Sequence, residues 1–131
     1  MRKLTFIIML LLAGVSGIKA QKMSFTVAGP EETYNQIRVV NETSETDFTC
    51  RVVVVLGEND EASEVFGVFN LKEHGDHDAK TKWLKRGTKL VLEMPNDFPE
   101  NVTMAIEYLD RPLFDIVVIH LTNADAFDSV K

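Results

Sequence analysis

A single cysteine, Cys50, stands in the 131-residue chain, so no disulfide can form within it. Small exported domains often lean on several disulfides; this one has to hold itself by packing. Tryptophan is equally scarce, with Trp83 alone, and four prolines and seven glycines punctuate the chain. Cations are outnumbered, 14 Lys and Arg against 20 Asp and Glu, for a formal charge of −6. A surface of that sign repels nucleic acid and anionic lipid on average, which argues against nucleic-acid binding. Catalytic patterns are missing too: no Gly-x-Ser-x-Gly elbow, no phosphate-cradling glycine loop, no His-Glu-x-x-His helix. The sequence therefore predicts a protein that is not an enzyme.

Long apolar runs are also absent, with one informative near-exception. Arg2 and Lys3 precede an almost unbroken apolar run over residues 4–15, and small and polar residues lead on to Ala20 and Gln21. A basic start, an apolar core and a small residue at the cut make a secretory signal peptide over residues 1–20. The run is shorter than the ~18–20 residues that span a bilayer, so the mature chain is expected to hold no transmembrane segment. Removing 20 of the 131 residues leaves 111, a common single-domain size. Three cations and no acid leave with the segment, taking the charge from −6 to −9. Asn41-Glu42-Thr43 and Asn101-Val102-Thr103 match the N-glycosylation acceptor pattern, a match short enough to arise by chance. With no paired cysteines, the expected location is the periplasm or the cell exterior.

The mature part reads as strand after strand. Met23, Phe25 and Val27 alternate with Ser24 and Thr26, and Gly29-Pro30 ends the run. Residues 34–40 form a more polar segment. Residues 48–56 include Val52-Val53-Val54-Val55-Leu56, apolar on both faces as a central strand would be. A polar turn at 57–61 leads to a partner strand over 62–71. Leu90, Leu92 and Met94 share a face; Pro95 and Pro99 bound a turn; Val102, Met104, Ile106 and Tyr108 line the next strand. Residues 109–112 turn into 113–122, and 124–131 read as a loose tail. That makes seven strands, or eight if residues 79–84 pair. The expected fold is an all-β antiparallel sandwich over residues 21–123, of immunoglobulin-like or C2-like architecture.

Two clusters carry chemistry. Glu73-His74-Gly75-Asp76-His77-Asp78 packs two imidazoles and three carboxylates into six residues. His74, Asp76, His77 and Asp78 could supply ligands to Ca²⁺ or Zn²⁺, although the pattern matches no specific metal motif. A hydrated turn, with Gly and Asp chosen for its geometry, is the plainer reading. If 79–84 is a strand, the loops at 41–47, 72–78 and 95–100 share one end of the sandwich and gather acids there. Second, Lys80, Lys82, Lys85, Arg86 and Lys89 surround Trp83 within ten residues. Lys82, Trp83, Lys85 and Arg86 could contact an acidic partner. The plainer expectation packs Trp83 into the sandwich, with the lysines guarding an edge strand. Cys50 is expected to be a buried, inert thiol, and His120 a core or edge histidine rather than a base.

These readings converge on an exported, non-catalytic binding module for a protein or cell-envelope partner. A divalent-metal module using the 73–78 loop is the alternative. A periplasmic inhibitor or immunity protein, presenting the acids of 41–78 to a basic partner, is a further one.

Overall fold

A computed structural model describes residues 9–12, 22–56, 63–96, 98–99 and 101–123. The turn at 57–61, the tail at 124–131 and the proposed cleavage point lie outside the described residues. Nine strands and no helix occur among them: β1 (Met9–Leu12), β2 (Lys22–Thr26), β3 (Thr33–Glu42), β4 (Phe48–Val55), β5 (Ser63–Leu71), β6 (His77–Lys85), β7 (Lys89–Glu93), β8 (Val102–Asp110) and β9 (Asp115–Asn123). They form two sheets, one ordered β1-β8-β9-β3-β6 and the other β2-β7-β4-β5. The chain is all-β, as its alternating pattern predicts, and residues 79–84 do pair.

Alternation explains the layering. In β2, Met23 and Phe25 turn inward while Lys22, Ser24 and Thr26 face solvent. Met23, Phe25, Cys50, Val52, Phe69, Leu90 and Leu92 from one sheet meet Tyr34, Ile37, Val39, Met104, Ile106, Val117 and Ile119 from the other in a single core. Sheet faces at this spacing interdigitate into one apolar layer. β4, between β5 and β7, and β9, between β8 and β3, are interior strands of their sheets; β9 is buried on both faces over Ile116–Ile119, whereas β4 exposes Thr49 and Arg51 on its outer face.

Two features depart from the sequence reading. β3 and β9 pair in parallel, Gln36 opposite Ile116 through Glu42 opposite Thr122, so the sandwich is not purely antiparallel. The last strand returns beside β3 in the same direction because the β8–β9 hairpin enters the sheet from its other side. Residues 9–12, inside the segment read as a leader, form β1 against β8, with Met9 opposite Ile106 and Leu12 opposite Thr103.

The two sheets' edge strands β5 and β6 are joined by side chains. The Asp78 carboxylate accepts from the Asn70 N–H (3.1 Å), and Lys82 Nζ lies 3.1 Å from Glu64 Oε2. The Lys80 and Lys82 ammonium groups sit 5.9 and 5.7 Å from the Phe69 and Phe66 ring centres. Lysine stems thus cover the core where no strand does.

Candidate functional site

The most exposed aromatic side chain among the described residues marks the candidate contact surface. In the β3–β6 ladder, Tyr34 pairs with Leu84 and Gln36 with Thr81, leaving Lys82 and Trp83 opposite Asn35 alone. This is a β-bulge on an edge strand. Lys82 turns to Glu64, and Trp83 stands 73% exposed. The expectation that Trp83 packs into the sandwich is therefore corrected: Lys80, Lys82 and Leu84 take the core side of β6, so alternation puts Trp83 on the outer face.

The neighbouring cations divide. Lys85 is exposed at the end of β6, and Arg86 occupies the turn that follows. That turn is fixed by Gly87, whose φ of 96° suits glycine, and by the Gly87 N–H donating to Val27 O (2.7 Å). Arg86 donates its backbone N–H to Glu32 O (2.8 Å) and its guanidinium to Pro30 O (3.2 Å). Lys82, committed to Glu64, closes the sandwich side.

Sequence reasoning missed two members of this region. Leu113, in the β8–β9 turn, is 80% exposed. The Asn35 amide holds that turn, donating to Leu113 O (3.4 Å) and accepting from the Asp115 N–H (3.1 Å). Trp83 and Leu113 thus flank β3 at the same end of the sandwich, with Asn35 between them. An apolar residue directly after Arg111-Pro112, with no core face to join, was the available signal.

At the other end the acidic loops do gather. The Asn41 amide donates to Glu45 O (2.9 Å) and Lys72 O (3.3 Å). Its oxygen accepts from the Thr43 N–H (3.0 Å) and hydroxyl (2.6 Å). Backbone bonds from Gly75 N–H to Asn41 O and from Asp47 N–H to Lys72 O, both 2.7 Å, stitch 41–47 to 72–76. The Phe48 and Phe98 rings, 4.7 Å apart, bring the 95–99 turn alongside. Asn41 is fully buried with its amide occupied.

The four candidate metal ligands diverge. Asp76 accepts from the Lys72 N–H (2.8 Å), and Asp78 from Ala79 and Asn70. His74 and His77 are exposed, and His77 pairs with Val40 at the start of β6. Among the described residues, no group of three His, Cys, Asp or Glu side chains is placed to hold a metal ion. A backbone N–H meets Asp76, and two backbone N–H groups together with the Lys80 ammonium (3.8 Å) meet Asp78. An open depression of about 530 Å³ beside this loop is lined by Glu42, Thr43, Ser44, Thr46, Glu73, His74 and Asn123.

His120 projects from the outward face of β9 between two carboxylates, Nδ1 3.2 Å from Glu42 Oε2 and Nε2 2.7 Å from Glu107 Oε1. Both ring nitrogens therefore face carboxylates of the protein itself. Cys50 is buried, and desolvation, with a smaller effect from Asp78, pushes its thiol up to about 12. It is inert. No protein-family model, curated protein or solved structure matches the chain.

Proposed function

We propose that the chain is an exported, non-catalytic β-sandwich, immunoglobulin-like or C2-like in architecture and secreted or periplasmic, that binds a protein through the Trp83 end. The observation that carries this reading is the 73% exposure of Trp83. Large aromatic surface costs free energy in water, and tryptophan and arginine dominate the binding energy of protein interfaces. Leu113 extends the apolar contact, while Lys85 and Arg86 give it a positive rim. The matching surface is an apolar recess edged by carboxylates. No helix among the described residues is long and apolar enough to cross a membrane.

The test is capture from an envelope extract by wild type, Trp83→Ala and Lys85→Ala/Arg86→Ala. Wild type should retain a defined protein, less of it as salt rises, that Trp83→Ala loses, and the charge variant should retain less at low salt with a weaker dependence on salt. Trp83 is also the only tryptophan, so its emission should shift to shorter wavelength as the partner covers it. Equal capture by wild type and Trp83→Ala would sink the proposal. Retention of a glycan instead of a protein would move the assignment to a cell-envelope component.

A further inference from the structure

β8 takes one neighbour, β9, from the body of the domain and the other, β1, from the segment read as an export leader. Removal of residues 1–20 would leave the β8 backbone unpaired along 103–106. Resting on the export reading above, we infer that the processed domain carries a strand-acceptor site on this edge. Its occupant is an aliphatic segment of a partner protein, added antiparallel to residues 103–106.

The other edges are guarded. β6 carries Lys80, Lys82 and Lys85 and a bulge; β5 carries Glu64 and a register shift between Val65 and Gly67; β2 is five residues long and begins at Lys22. Charges, bulges and short strands are the devices that stop edges from pairing. Residues 102–106 of β8 carry none: no charge, no proline, and an unbroken register with both neighbours. Val102, Met104 and Ile106 face the core, and Thr103 and Ala105 are buried on the opposite face. An added strand therefore meets the apolar core on one face and Thr103 and Ala105, paired with Thr122 and His120, on the other, which calls for aliphatic residues at least on its core-facing side. Met9–Leu12 has that composition and shows the register in which such a strand fits. Main-chain bonds would supply affinity and the flanking side chains selectivity.

The test begins with the N-terminal sequence of the exported protein. If Met9–Leu12 are still present, the leader reading fails and no edge is free. If they have been removed, the processed protein is titrated with a synthetic peptide of residues 6–15, made soluble by appended lysines. Saturable one-to-one binding should raise the melting temperature by several degrees and slow exchange of alternate amides within 103–106 at least tenfold. The same peptide carrying Leu11→Pro, which lacks one N–H, should bind at least tenfold more weakly. Binding without β8 protection, equal binding by the proline peptide, or no binding would overturn the acceptor site with the export reading intact. Self-pairing of β8 into a dimer would overturn the proposed occupant.

Discussion

At one end of the sandwich a buried amide holds the loops, and at the other two phenols do. Asn41 donates to two carbonyls and accepts from a neighbouring N–H and hydroxyl, so it locks 43–47 and 72–76 to each other. Opposite it, the Tyr108 hydroxyl accepts from the Ala28 N–H (2.9 Å) and the Tyr34 hydroxyl from the Glu31 N–H (3.0 Å). The two rings lie 5.5 Å apart, with Gly29 against them. An amide end depends on which atoms donate; a phenol end depends on shape. The acidic end therefore tolerates sequence change poorly at one residue, while the aromatic end tolerates loss of a hydroxyl but not added volume.

The comparison breaks most visibly at Asn41. Asn41→Ala should cost about 3 kcal/mol in chemical denaturation, because it orphans several backbone groups under the loops. Asn41→Asp should be no better, since a carboxylate cannot donate to Glu45 O and Lys72 O. Gly29→Ala comes next, at about 2 kcal/mol by thermal melt. Its Cβ would lie 2.5 Å from Tyr108 Cγ and would strike the Tyr34 hydroxyl. Tyr108→Phe keeps the ring and should cost about 1 kcal/mol.

Alkali separates the ends further. Burial pushes both tyrosines above their ordinary value of 10.0, and Cys50 from 9.0 to about 12. The folded state keeps protons that the unfolded chain releases. Their contribution is complete below about pH 9 and is lost as pH climbs through the folded values. Stability should fall from pH 9 upward, and Tyr108→Phe should flatten part of that slope while Asn41→Ala leaves it unchanged. The smallest effect is Trp83→Ala, within about 0.5 kcal/mol of wild type. A larger loss would make Trp83 part of the fold rather than of a contact surface.

Strand positions were legible because period-two alternation is clear in β2 and β7 and because the continuously buried stretches of β8 and β9 are bounded by turn residues. β6 was the ambiguous one: its run His77–Lys85 is charged, and it forms because β3 offers a ladder and β5 offers Glu64 and Asn70. β1 was hidden because an apolar leader and an apolar strand share one composition. The grouping of the acidic loops followed from parity once β6 was a strand. Their hydrogen bonds did not, since nothing local says that Asp76 will reach the Lys72 N–H. Trp83 escaped because the core face of β6 is taken by Lys80, Lys82 and Leu84, a mostly charged set that does not announce itself as the inward side. His120 lies 78 residues from Glu42 and 13 from Glu107, so its clamp is a product of the parallel and antiparallel ladders meeting at β9.

That parallel ladder has a consequence for the timing of folding. β9 sits between β3 and β8, so the middle of the five-stranded sheet cannot assemble until residues 115–123 have been made. Pairing Gln36 with Ile116 closes a loop of 80 residues, and such distant partners find each other slowly. A nascent chain would thus hold the strands of its four-stranded sheet, complete by Glu93, before the centre of the five-stranded sheet could close over them.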